Sequence, residues 1–77
     1  MDLRHFLFEH RISQQRLIKA IVSTGNSFHH PQMSKLVQGK ERMMPRQRMK
    51  IRKGLLKMGF GLAQIDAIDE LTPMSVP

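Results

Sequence analysis

Glycine and proline punctuate this chain so regularly that only short helices fit between them. Gly25, Gly39 and Gly59 each follow a run whose apolar residues recur at intervals of three and four, and Pro31 and Pro45 each open the next run. Glycine ends helices because it adopts left-handed backbone without steric cost. Proline opens them because its missing N–H falls where a first turn has no acceptor to offer. Intervals of three and four mark one face of a helix, and no stretch alternates as a half-buried strand would. The punctuation therefore predicts an all-α bundle of four to five helices in 77 residues. A chain this short forms a single domain with a thin core.

The first helix is expected over residues 2–10, capped by Asp2, with Leu3, Phe6 and Leu7 turned inward. The second opens at Ser13 and ends near residues 22–24, burying Leu17, Ala20 and Ile21 with Ile18 beside them. The third takes Pro31 as its first helical residue and His30 as its cap, with Ser27 as an alternative start. Met33, Leu36 and Val37 face inward and Gly39 stops it. A basic loop over residues 40–44 leads to a fourth helix from Pro45 to about Met58. Ile51, Leu55 and Met58 share its inner face, and Gly54 inside it points to a close helix–helix contact. Met33, Met49 and Met58 fit helix faces and are read as core fillers, as is one of Met43 and Met44. Leu62, Ile65, Ile68 and Leu71 suggest a fifth helix over residues 62–71. Residues 72–77, with two prolines and no periodicity, read as a disordered tail or the start of a linker.

Charge narrows the function. Thirteen Lys and Arg oppose six Asp and Glu, a formal net charge of +7. Nine of the basic residues lie between positions 35 and 57, with Glu41 the single acid among them. A folded domain with so dense a basic block suits a polyphosphate partner. No apolar run approaches the roughly 18 residues of a membrane span, and the first ten residues lack a signal-peptide pattern, so a cytoplasmic protein is expected. There is no cysteine, which excludes disulfides and Cys-based zinc sites. His29 and His30 are adjacent and point apart on a helix, and no His-x3-His spacing occurs, so neither metal nor cofactor is expected. His5 and His10 read as exposed helix residues. No nucleophile–base pair or carboxylate pair suggests an enzyme.

The segment Met33-Ser34-Lys35-Leu36-Val37-Gln38-Gly39-Lys40, followed by Arg42 and by Pro45-Arg46, carries the most specific signal. With Ser13-Gln14-Gln15-Arg16-Leu17 upstream, it resembles the helix-turn-helix of the lambdoid phage repressor and Cro family over roughly residues 3–56. The resemblance implies a lambda-repressor-like fold and double-stranded DNA binding, of the kind a transcriptional regulator performs. In that family the second helix of the motif lies in the major groove and the first crosses the backbone. Carried onto this chain, Gln14 contacts phosphate or supports the reading helix, and Lys40, Arg42 and Arg46 clamp phosphates. His29, His30, Gln32, Ser34 and Lys35 fall on or beside the reading helix. Lys35 suits guanine O6/N7 and Gln32 suits adenine.

The chain departs from the family in the turn, where residues 23–30 hold about five extra residues and Ile18 replaces a small residue. Phe28 is the one large apolar residue in that insertion. It is expected to be buried against Leu17, Ile21 or Leu36, leaving His29 and His30 toward the DNA. On this reading residues 1–60 form the DNA-binding domain, 61–71 a short C-terminal helix for dimerisation or linkage, and 72–77 a disordered tail. A free-standing regulator of this type pairs as a homodimer on a palindromic site, and residues 62–71 are the one candidate segment for it. Two other readings stand beside it: the amino-terminal DNA-binding module of a larger transposition or replication protein, and an RNA- or protein-interaction domain using the basic face.

Overall fold

The computed structural model describes residues 1–71, and among them there are helices and no strands. The helices are α1 (Leu3–Glu9), α2 (Gln14–Ser23), α3 (His30–Val37), α4 (Pro45–Lys57) and α5 (Leu62–Asp66), followed by a single 3-10 turn, Asp69–Leu71.

Each boundary has a local cause. The Asp2 carboxylate accepts the His5 N–H at 2.7 Å and starts α1, and Ser13 Oγ accepts the Arg16 N–H at 3.1 Å and starts α2. Gln47 Oε1 reaches back to accept the Met44 N–H at 2.9 Å ahead of α4. The ends of α3 and α4 close on left-handed glycines, Gly39 at φ 74° and Gly59 at φ 102°. The residue after each glycine donates its N–H back into the last turn, Lys40 to the Lys35 carbonyl and Phe60 to the Leu55 carbonyl. This is the pattern that satisfies terminal carbonyls. The end of α1 has the same pattern without a glycine. Arg11 sits at φ 54°, and Ile12 donates to the Leu7 carbonyl at 2.8 Å.

The third helix begins one residue earlier than its proline suggests. His29, not His30, is the cap, and Pro31 occupies the second helical position. Proline is tolerated there for the same reason as at the first: no intrahelical acceptor awaits its N–H. His29 contributes no side-chain cap.

The core is apolar throughout. Leu3, Phe6, Leu7, Ile12, Leu17, Ile21, Phe28, Met33, Leu36, Ile51, Leu55, Ile65, Ile68 and Leu71 are buried, with no polar side chain buried among the described residues. Its centre is the packing of α2 on α4, made possible by Gly54, which meets the backbone of Ile21. Phe28 is buried in the same cluster as Leu17, Ile21 and Leu36, and so it fastens the residue 24–29 link to the core. Met43 packs against the core, whereas Met44 is exposed. Met49 is exposed too, contrary to the core role read for it. It lies two residues before Ile51, about 200° around the helix from that inner position.

The expected helix over residues 62–71 is broken. It stops at Asp66, turns through Ala67 and Ile68, and resumes as the 3-10 turn. A strict interval of three explains this. On an α-helix such a set drifts by about 60° per step, so four such residues cannot share a face. The break lets Ile65, Ile68 and Leu71 all reach the core and leaves Leu62 outside. The segment is strapped in place. Leu3 N–H donates to Glu70 Oε1 at 2.8 Å. Asp69 N–H donates to the Met1 carbonyl at 2.7 Å. Arg52 on α4 reaches both Asp66 Oδ1 and the Leu71 carbonyl at 2.7 Å. Residues 72–77, read as a tail, lie outside the described residues.

Candidate nucleic-acid interface

α3 presents its polar side outward because Met33 and Leu36 hold the opposite side in the core and Val37 packs against it. Pro31, Lys35 and Gln38 are exposed, and Gln32 and Ser34 are half-buried on the flanks. Gln38 Nε2 donates to Ser34 Oγ at 3.1 Å, so these two side chains stand together one turn apart.

The start of α4 lies beside this helix. Gln32, Met44, Pro45, Arg46, Gln47 and Lys50 line one open groove of about 420 Å³. The groove thus joins a base-reading candidate, Gln32, to a phosphate-clamping candidate, Arg46. Lys50 enters it one turn after Arg46. Its Nζ also donates to the Ser27 carbonyl at 3.0 Å, tying α4 to the link between α2 and α3. His29 and His30 are exposed at the amino end of α3, and Gln14 is half-buried at the start of α2. None of these three lines the groove.

Arg42 is turned elsewhere. It lines a second groove, of about 270 Å³, with Leu36, Gly39, Glu41, Met43, Arg48, Asp69 and Glu70. Three of those residues are acids, an unfavourable place for a phosphate. Arg48, in the same groove, has a buried Nε without a hydrogen-bond partner. Lys40 is exposed just past Gly39. Lys35 is exposed, and its Nζ lies 3.7 Å from Glu41 Oε1.

Lys50, Gln47 and Gln38 are the groups that sequence reasoning left out. Lys50 follows Arg46 by four, and Gln38 follows Ser34 by four, the interval that puts two side chains on one stripe. That spacing was the available signal. The long-range bond from Lys50 to Ser27 had none.

α4 carries Arg46, Arg48, Lys50, Arg52, Lys53 and Lys57 and no acid. Arg52 is neutralised by Asp66 across the fold. Opposite the core, Met49 and Leu56 are exposed, in a shallow apolar strip edged by Arg48, Arg52 and Lys53.

Among the described residues no helix is long and apolar enough to cross a membrane, and no group of three or more His, Asp or Glu is placed to hold a metal ion. Comparisons with family models, with curated proteins and with solved structures each give no significant match.

Proposed function

We propose that this chain binds double-stranded DNA by a helix-turn-helix of the lambda-repressor type, with α2 as the supporting helix and α3 as the reading helix. The observation that carries the proposal is the shared groove of Gln32, Arg46 and Lys50. It sets an amide with paired donor and acceptor beside two cations that can hold the flanking backbone, the division of labour that sequence-preferring DNA binding requires. Gln32, Lys35 and the Ser34–Gln38 pair read base edges, with His29 and His30 at the entering end of α3. Arg46, Lys50 and Lys40 neutralise phosphates. Arg42 stands apart in the acid-lined groove and contributes less. Gln14, at the start of α2, supports the reading helix or meets the backbone beside it.

Regulation of transcription, as a repressor or otherwise, is the role that fits such a module, in the cytoplasm where DNA is accessible. Pairing through residues 62–71 is not part of the proposal, because Ile65, Ile68 and Leu71 are spent on the domain's own core.

Selection of bound sequences from a random duplex pool, at stated salt, tests the reading. Enrichment of a defined site, lost on Gln32→Ala or Lys35→Ala, supports it. Recovery of the unselected pool, or equal retention of single-stranded RNA, contradicts it.

A further inference from the structure

α4 shows three different faces. Ile51, Gly54 and Leu55 lie in the core, and Arg46 and Lys50 line the groove beside α3. Pro45, Met49 and Leu56 follow at intervals of four and seven, which bring side chains onto one stripe of a helix. Met49 and Leu56 are 53% and 43% exposed and stand about 10 Å apart along the helix axis. They floor a shallow groove of about 280 Å³. By helical angle Arg48 and Arg52 edge it on one side and Lys53 on the other, and no acid lines it. Asp66 neutralises Arg52. Arg48 and Lys53 have no ion-pair partner among the described residues, and Arg48 Nε is buried without a hydrogen bond. The strip thus has an uncompensated cation on each edge.

We propose that this strip docks an acidic amphipathic helix of another protein, with apolar residues spaced to meet Met49 and Leu56 and Asp or Glu on both flanks. Charge complementarity selects that occupant. An apolar floor offers nothing to a phosphate backbone, whereas an amphipathic helix fills an apolar groove with one face and carries its charges beside it. A second copy of this chain does not fit. Strip against strip would set Arg48 and Lys53 against the same cations, in a chain of net charge +7. The chain's own acids beyond α4 are already engaged, Asp66 by Arg52, Asp69 by the amino terminus and Glu70 by the Leu3 N–H. A strip with two apolar side chains buries far less than the about 1,200 Å² of a stable complex, so the contact is transient. The proposal does not rest on the DNA-binding reading, because Met49, Lys53 and Leu56 do not line the groove of Gln32, Arg46 and Lys50.

The test is a selection from random peptides of roughly 16 residues, long enough for four helical turns, displayed on yeast. Wild type is the target and the double variant Met49→Gln/Leu56→Gln is the counter-target. The variant keeps every charge and, with a good helix former at both sites, the helix. Enriched peptides are expected to carry large apolar residues at helical spacing flanked by Asp and Glu. In anisotropy titrations of the synthetic peptides, the double variant should bind about tenfold more weakly, the scale of two half-buried apolar side chains. Lys53→Glu should bind about fivefold more weakly, the scale of one exposed ion pair, and exchange of the peptide's acids for Lys should restore its binding. Absence of enrichment over the counter-target would overturn the proposal, as would enriched peptides without acids or binding that both variants leave unchanged. So would a dimer in sedimentation, or retention on phosphatidylserine vesicles, that Met49→Gln/Leu56→Gln abolishes, which would assign the strip to a second copy or to a lipid surface. Any of these results leaves the DNA-binding reading intact. Unchanged circular dichroism confirms that the variants are folded.

Discussion

Gly54 of α4 faces Ile21 of α2 at a distance that leaves no room for a side chain. A β-carbon at position 54 would fall 2.6 Å from Ile21 Cγ1 and 3.3 Å from the Ile21 backbone nitrogen. Two helices meet here through backbone and one fully buried isoleucine, and the rest of the α2–α4 packing is built around that approach. Gly54→Ala therefore opposes two effects. Alanine favours the helix by about 1 kcal/mol. Overpacking a tight contact costs about 1–3 kcal/mol, and the nearby backbone restricts relief. The net expectation is a loss of up to about 2 kcal/mol in urea unfolding, much reduced in the background Ile21→Ala, where the clashing atom is gone. A gain in stability on Gly54→Ala would show that α2 and α4 stand further apart.

Arg11 holds a left-handed conformation at φ 54° where glycine is the usual residue. The hydrogen bonds around it, from Arg11 N–H to the Phe8 carbonyl and from Ile12 N–H to the Leu7 carbonyl, depend on the backbone and not on the side chain. Arg11→Gly is expected to raise stability by about 1 kcal/mol by relieving β-carbon strain. The unfolding midpoint in urea reads this directly.

Phe28 is 7% exposed in a link that otherwise runs through polar residues. Truncation to alanine removes a buried ring and leaves a cavity under the link, at an expected cost of about 3–5 kcal/mol. That is much of the stability a small domain has, so thermal melting of Phe28→Ala should begin far below that of wild type. A change under about 0.5 kcal/mol would place the ring in solvent and free the link.

Lys50 and Gln32 share a groove but differ in role, and their variants are expected to separate. Lys50→Met removes a phosphate-seeking cation and the bond to Ser27, so it weakens binding to all duplexes and flattens the salt slope by about 1. Gln32→Ala costs about 1–3 kcal/mol on the preferred site and little elsewhere. Anisotropy titrations of both variants on selected and scrambled duplexes decide it. Equal losses on both duplexes for Gln32→Ala would make it a backbone contact.

The helices were legible because their limits are written locally. Asp2, Ser13, Pro45, Gly39 and Gly59 each act through bonds within a few residues, and the inner faces of α1 to α4 follow from intervals of three and four. The burial of Phe28 and the close approach at Gly54 were readable for a related reason: a large apolar residue in a polar link and a glycine inside a helix both need an outside cause. The break after Asp66 was not legible as a break, although the interval of three over residues 62–71 contained it. Met49 was misplaced although its side was legible, since it lies two residues before Ile51 and so about 200° around the helix from the inner face.

The candidate site was legible as a composition and less so as a geometry. The basic block and the outward face of α3 follow from the order of residues. The groove that Arg42 shares with Asp69 and Glu70 and the bond of Lys50 to Ser27 join positions more than 20 apart. So does the contact of His10 with Phe60, at a ring separation of 5.0 Å, which together with Phe6 one turn away at 4.3 Å makes an exposed histidine part of an aromatic cluster. Such pairings are set by how the helices pack, which no local pattern records.

On the DNA-binding proposal, a cationic surface centred on Arg46 and Lys50 holds duplex DNA by its phosphates. The affinity for a duplex, followed by fluorescence anisotropy from about 50 to 300 mM salt, tests it most directly. With Lys35 3.7 Å from Glu41 and Arg42 in a groove shared with Asp69 and Glu70, about four phosphates are neutralised per protein. The logarithm of affinity should then fall linearly with the logarithm of salt, with a slope of about −4. Arg46→Ala should bring it to about −3. A flat line, or a slope that Arg46→Ala leaves unchanged, would contradict the claim.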